Sequence, residues 1–304
     1  MTVSHKTTAR RTYLCAAAIG AALFAPAAAQ AACMLSIEPA QGELVIRHNP
    51  LESDGARGQV EINVVNRGDS LCVGKFSASL RGEQFGFRSE QGLQSIPYQL
   101  IDEKGGVDIT PRAGRSLQRQ GGRVIRLMPG ERSLELVTIA ALPDTSLSQG
   151  RYAQTLDLNV VSDDDMLLGS RQLTLGIDIV AAALIGLKGQ VGRARGAASV
   201  DLGELEKGSK DLPITLYVIS TGGYRVSVSS ENRGRLKHQN ATWYVDYRLR
   251  LGRYDLDLAS PDGFEIVSNR ARFDNYPVRI DIGETAGKRA GKYMDTVTFT
   301  VAAL

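Results

Sequence analysis

Apolar and polar residues alternate with a period of two through most of this chain, and no helical period competes with that pattern. Val60, Ile62 and Val64 alternate with Glu61 and Asn63. Phe76, Ala78 and Leu80 share one parity, as do Leu156, Leu158 and Val160. The pattern returns in Ile214, Leu216 and Val218, in Tyr224, Val226 and Val228, and in Val278, Ile280 and Ile282. It closes with Val297, Phe299 and Val301. Turn signals separate the runs, among them Arg67-Gly68-Asp69, Pro129-Gly130, Thr221-Gly222-Gly223 and Pro261-Asp262-Gly263. A strand with one apolar face must lay that face on another sheet. Short half-buried strands at this spacing therefore predict an all-β fold, a β-sandwich or barrel.

The first 31 residues follow another rule. Lys6, Arg10 and Arg11 precede an apolar stretch from Tyr13 to Ala25, and small residues follow, ending Ala29-Gln30-Ala31. That order is expected of a secretory signal peptide cleaved after Ala31. The apolar stretch is shorter than the roughly 20 residues that span a bilayer. Arg10-Arg11 also has a twin-arginine flavour, but paired arginines are common in ordinary leaders. A lipidated Cys33 is disfavoured, because Gln30 stands where a lipobox would carry Leu. The formal net charge of +3 resides in the leader, and its removal leaves 33 basic and 33 acidic residues. A phosphate-backbone binder needs a basic surplus, so nucleic acid is not an expected partner. Cys15 leaves with the leader, and Cys33 and Cys72 remain as an even pair in an exported chain, which favours one disulfide.

The mature chain also repeats itself. Gly42-Glu43-Leu44 recurs as Gly203-Glu204-Leu205, and Val64-Val65-Asn66-Arg67-Gly68 has a counterpart in Val218-Ile219-Ser220-Thr221-Gly222. Pro97-Tyr98-Gln99-Leu100 pairs with Asp246-Tyr247-Arg248-Leu249. Gln149-Gly150-Arg151-Tyr152 pairs with Ala290-Gly291-Lys292-Tyr293. Four landmarks in one order predict two related domains, residues 32–180 and 181–304. Their ends differ. The first continues past Tyr152 through Asp163-Asp164-Asp165 into a further alternating run, Leu173, Leu175, Ile177 and Ile179, whereas the second stops at Leu304. The first half is expected to own a last strand that the second lacks.

No catalytic constellation emerges: no G-x-S-x-G elbow, no H-E-x-x-H, no Walker loop and no dinucleotide turn. No catalytic, cofactor-binding or metal-binding residue is therefore assigned, and no cofactor is expected. His48 and His238 fall in different halves and read as surface or turn residues. Asp163-Asp164-Asp165 lacks the alternating ligands of a calcium loop and reads as a solvated turn. Asn240-Ala241-Thr242 fits the glycosylation pattern, a frequent accident. Gly186, Gly189 and Gly192 read as linker between strands. Tyr152 and Tyr293, each opening the last long strand of its half, resemble the tyrosine corner of sandwiches.

The residues from Ala290 to Val301, Ala-Gly-Lys-Tyr-Met-Asp-Thr-Val-Thr-Phe-Thr-Val, resemble the C-terminal strand of the spore coat protein U-like pilins, subunits of archaic chaperone–usher pili. Val200-Asp201-Leu202-Gly203 is similar to that family's early motif, with Leu202 in place of Phe, and the spacing of Cys33 and Cys72 is similar to its disulfide. The second half has no cysteine, and the first lacks the early Phe-Gly. The resemblance implies tandem immunoglobulin-like β-sandwich domains, the second lacking its last strand and completed by a donor strand. Val297, Phe299 and Val301 would line the donor-strand groove. The implied partners are a periplasmic pilus chaperone, an outer-membrane usher and a neighbouring pilin subunit. Only Ala32 would precede Cys33, so the subunit is expected to accept a strand and donate none.

The expected function is that of a non-enzymatic subunit at the tip of a cell-surface fimbrium. Its residues 32–180 would bind an unidentified surface or receptor, with Phe85 and Phe87 as weak candidate anchors. A spore-coat or matrix protein of the same fold is the alternative reading, and an exported hydrolase a weaker one.

Overall fold

The computed structural model describes residues 32–52, 54–89, 94–111, 123–190, 192–194 and 197–304. The expected leader and its cleavage site lie outside these residues. The described chain is strands, turns and bends throughout, as the alternation predicts.

In chain order the first half contributes β1 (Leu35–Pro39), β2 (Glu43–His48), β3 (Ala56–Asn66), β4 (Cys72–Ser79), β5 (Phe87–Ser89) and β6 (Ser95–Ile96). Then come β7 (Tyr98–Asp102), β8 (Val107–Asp108), β9 (Val124–Leu127), β10 (Arg132–Ala141), β11 (Gly150–Val161) and β12 (Leu167–Ile179). The second half begins with β13 (Ala183–Gly189), β14 (Gly192–Ala194), β15 (Ala197–Ser199), β16 (Gly208–Ser220), β17 (Tyr224–Ser230) and β18 (Arg235–His238). It ends with β19 (Tyr244–Leu251), β20 (Tyr254–Leu256), β21 (Asp262–Ile266), β22 (Arg272–Ile282), β23 (Tyr293–Met294) and β24 (Val297–Ala303).

One sheet of the first half runs β1-β3-β10-β7-β8 and the other β2-β12-β11-β4-β9, with β5 added beside β11. Their inner faces share one core that includes Ile62, Val64, Leu100 and Ile139 from the first sheet, and Phe76, Leu156, Leu158 and Leu175 from the second. This is the sandwich arrangement, each apolar face covered by the other. The second half packs β13-β16-β22-β19-β18-β23 against a smaller sheet, β21-β17-β24, around a separate core. Among the described residues no sheet joins strands of the two halves.

The strand orders correspond. β1-β3-β10-β7 matches β13-β16-β22-β19, and β11-β4-β9 matches β24-β17-β21. Three of the four sequence landmarks fall on equivalent strands: the ends of β3 and β16, the strands β7 and β19, and the tyrosines leading β11 and β24. The fourth does not, because Glu43-Leu44 opens β2 while Gly203-Glu204-Leu205 lies outside any strand. The glycines read as linker are also strand. Gly186 and Gly189 belong to β13, which pairs with β16 from Ala183↔Ser220 to Gly189↔Ile214, and Gly192 opens β14. At Gly186 the reason is cross-strand packing, because a Cβ there would lie 2.4 Å from the Tyr217 ring.

Beyond β11 the correspondence stops. β12 runs antiparallel to β11 along its whole length and parallel to β2 from Thr174↔Glu43 to Ile179↔His48. Leu173, Leu175, Ile177 and Ile179 point inward, none more than 1% exposed. Cys33 and Cys72 form a disulfide that ties the segment before β1, in one sheet, to the start of β4, in the other. Closing a loop of this length stabilises by about 3–4 kcal/mol in the chain-entropy account.

With its own β12 in place, the segment 32–180 is expected to fold as a soluble monomer without a partner. Leu175→Ala should lower its stability by about 2–5 kcal/mol, because the site is walled on every side. A denaturant titration with an unchanged midpoint would contradict the packing described here.

Candidate functional site: an open sheet edge

β24 bonds to β17 on one side, in register from Tyr224↔Ala303 to Ser230↔Val297. Among the described residues no strand bonds its other side, although β13, paired only with β16, passes nearby. This is the position that β12, itself paired with β2, occupies beside β11 in the first half.

The side chains register the difference. Counting four residues on from each tyrosine, Leu156, Leu158 and Val160 of β11 correspond to Val297, Phe299 and Val301 of β24. The first three are at most 1% exposed. The second three pack on their core yet stay half-buried, alternating with exposed Thr298 and Thr300. Ile185 and Leu187 of β13 are half-buried as well. Among the described residues, twenty-eight apolar residues are buried around the first core and seven partly so; around the second the numbers are seventeen and fourteen, which marks the second core as the less covered of the two. An unpaired edge beside half-covered apolar side chains is a template for an added strand. Main-chain groups would bond along the edge while alternate side chains enter the gap.

The motif preceding β24 anchors this edge. Tyr293 donates from its hydroxyl to the Arg289 carbonyl at 2.7 Å, and Tyr152 does the same to the Ser148 carbonyl at 3.0 Å. Both bonds reach four residues upstream, the geometry of a tyrosine corner. His238 lies edge-on to the Tyr293 ring at 5.1 Å, and its Nδ1 accepts from the Asn240 amide. It is a buried wedge rather than a surface or turn residue, because β18 pairs with β23 and carries it beneath the corner. His48, half-buried, ends β2. Gly291 has φ +150°, and a Cβ there would fall 2.2 Å from His238 Nε2, so the motif requires glycine at this point. Asp295 accepts from the Tyr247 hydroxyl at 2.6 Å, the Ser230 hydroxyl at 2.5 Å and the Asn232 amide at 2.9 Å. It thereby ties the start of β24 to β19 and to the turn after β17. Burial, and secondly this carboxylate, push the Tyr247 hydroxyl well above the ordinary phenol range. Elsewhere in this core the Tyr224 hydroxyl donates to Asp274 at 2.6 Å. The Arg272 guanidinium beside Asp274 holds its carboxyl below the usual carboxylate range.

The aromatic residues expected to anchor a receptor do not stand free to do so. Phe87 is fully buried and stacks on Tyr98 at 4.3 Å, and Phe85, half-buried, tilts against the same ring at 4.8 Å. The cause is Gln154, whose amide donates to the Gln84 carbonyl at 2.7 Å. Its Oε1 accepts from the Gly86 amide and the Tyr98 hydroxyl, drawing residues 84–87 onto the core. Exposed apolar side chains stand elsewhere. Met34, Leu71, Met128, Met166 and Leu167 are 46–60% exposed. They lie at the end of the first half remote from residues 180–182, where Arg67 bonds Met34, Cys72 pairs with Leu127 and β11 turns into β12. In the sequence each stands inside or beside a turn, at the end of an apolar run, with nothing to distinguish it from a buried strand end. Asp163 at this end pairs with Lys75 at 2.9 Å, and Asp165 takes a turn φ of +60°.

No family model matches the chain, and no curated protein matches it. Solved structures do. The chaperone–tip adhesion subunit pre-assembly complex of archaic chaperone–usher Csu pili from Acinetobacter baumannii matches with 14% identity and a TM-score of 0.48, over 89% of this chain and 99% of that one. The CupB6 tip adhesin of Pseudomonas aeruginosa matches with 12% identity and a TM-score of 0.35, over 89% and 95%. The CooA pilin subunit of enterotoxigenic Escherichia coli matches with 11% identity and a TM-score of 0.31, over 47% and 98%. The geometry of the edge, rather than these likenesses, carries the functional reading.

Asp295→Ala would strand the Tyr247 hydroxyl and the Asn232 amide, and should cost the second half roughly 1–3 kcal/mol. Circular dichroism across a urea titration follows the unfolding. An unshifted urea midpoint would contradict the anchoring role.

Proposed function

We propose that the chain is an exported adhesive subunit at the tip of a chaperone–usher pilus. In this reading residues 32–180 contact the target, and residues 181–304 join the fibre by accepting a donor strand along β24. The observation that carries it is the contrast within one molecule: β11 is closed by β12, while β24 is left with half-covered Val297, Phe299 and Val301. A periplasmic pilus chaperone would cover that edge first. The outer-membrane usher would then hand the subunit to a neighbouring pilin, whose strand replaces the chaperone's.

Two further observations support the tip position. Residues 32–34 fold back on their own half, through the bond from the Ala32 amide to Asp69 and the disulfide at Cys33, so this segment is not extended towards a neighbour. In this reading the β24 edge accepts a strand from one neighbour, and a subunit that accepts a strand without donating one ends a fibre. The exposed Met34, Leu71, Met128, Met166 and Leu167 then stand at the outermost loops, where five large apolar side chains suit an apolar target surface.

The test is a donor peptide with the sequence of the chain's own Gln172–Ile179, fused after Leu304 through a flexible linker. The fused protein should unfold at a higher temperature, followed by differential scanning calorimetry, and stay monomeric. Each inward residue adds at most about 1.5–3 kcal/mol. Charged residues at the inward positions should abolish the gain, because a buried unpaired charge costs more than edge pairing returns. If the unfused chain already unfolds at the same temperature as a monomer, the second half is complete and the proposal fails.

A further inference from the structure

Three residues, Val180, Ala181 and Ala182, separate β12 from β13, a connection spanning at most about 10 Å. Such a short link leaves the halves free to swivel unless other contacts hold them. Those contacts converge on the turn between β16 and β17. Thr221 is fully buried, and every polar group it carries is engaged outside its own turn. Its hydroxyl donates to the Val180 carbonyl at 3.0 Å and accepts from the Ala182 amide at 2.9 Å. Its amide donates to the Ala182 carbonyl at 3.0 Å, and its carbonyl accepts from the Gln149 amide at 2.8 Å. Ser220, also fully buried, adds a bond from its hydroxyl to the Ala182 carbonyl at 3.1 Å.

The first half meets this turn with the loop before β11. Tyr152 pins that loop through Ser148, whose hydroxyl accepts from the Ala271 amide of the second half at 3.1 Å. Gln149, the next residue, lies so close to Gly222 that a Cβ on the glycine would fall 2.8 Å from its side-chain amide. On the far side of the same turn the Gly223 carbonyl accepts from the Leu304 amide at the end of β24. One turn therefore bonds the connection, the first half and the edge strand together.

We infer that residues 148–149, 180–182 and 220–222 form a rigid lock between the halves, with Thr221 as its central hydrogen-bonding group. The lock fixes the direction in which the first half points relative to the open edge at β24. Buried hydrogen bonds suit this work, because freeing Thr221 strands several polar groups at once and opposes opening of the turn. The lock is independent of the adhesive reading and would hold in a coat protein too. In a pilus tip it would make the binding loops stand at a set angle to the fibre instead of trailing from a hinge.

The test compares distance distributions by electron paramagnetic resonance between spin labels on exposed Ser170 in the first half and Lys292 in the second, in the mature chain with its disulfide intact. The unaltered lock should give one narrow distribution. Thr221→Val keeps the shape but removes the hydroxyl bonds, and should broaden it, while Thr221→Ser should restore the narrow form. Gly222→Val removes no hydrogen bond and wedges against Gln149, so it should broaden the distribution by steric means alone. Far-ultraviolet circular dichroism and thermal unfolding show whether each variant keeps its fold. If Thr221→Val fails to fold, Gly222→Val decides. A broad distribution in the unaltered chain, or narrow ones in the folded variants, would overturn the lock.

Discussion

In a sandwich a β-strand has an apolar face that must be buried and two hydrogen-bonding edges that pair with a neighbouring strand or face water. The two halves of this chain meet that constraint differently. In the first, β12 lies between β2 and β11, satisfies both edges and sends Leu173, Leu175, Ile177 and Ile179 into the core. In the second, the equivalent strand position is empty among the described residues, and Val297, Phe299 and Val301 remain half-covered. The same strand order thus appears twice, once with a further strand beside the tyrosine-led strand and once, among the described residues, without it.

The edge is nevertheless well placed. Tyr293 fixes the entry to β24, Asp295 ties it to β17 and β19, and the Leu304 amide bonds the Gly223 carbonyl at its other end. A strand held at both ends presents a fixed row of main-chain groups, which would lower the ordering cost of pairing with an added strand. Tyr152 uses its corner for another purpose. It holds the loop whose Ser148 and Gln149 reach the second half, so one device recurs as an anchor for the open edge and as a bracket between the halves.

Strand parity makes much of this legible in the sequence. Period-two runs identify β12 and β24, and the tyrosine-led repeats place β11 and β24 at equivalent positions, because inward apolar residues mark a strand wherever it pairs. Other features depend on neighbours that sequence spacing does not reveal. The glycines at 186 and 189 read as linker, but Gly186 is the flat spot on which the Tyr217 ring rests. Phe85 and Phe87 read as a loop tip, yet Gln154 draws that segment inward. His238 reads as a surface residue, and β23 covers it. Met34, Leu71, Met128, Met166 and Leu167 escape a sequence reading because an apolar residue near a turn reads as the end of a strand until its exposure is seen.

Native-state hydrogen exchange on the mature chain tests the central asymmetry most directly, since both strands are read in one molecule. The amides of β12 should exchange slowly in the isolated protein. Those of β24 that do not face β17 should exchange fast, and slow markedly when a donor peptide of the β12 pattern is added. Equal protection of β12 and β24 in the isolated chain, unchanged by the peptide, would show that the second half is already closed.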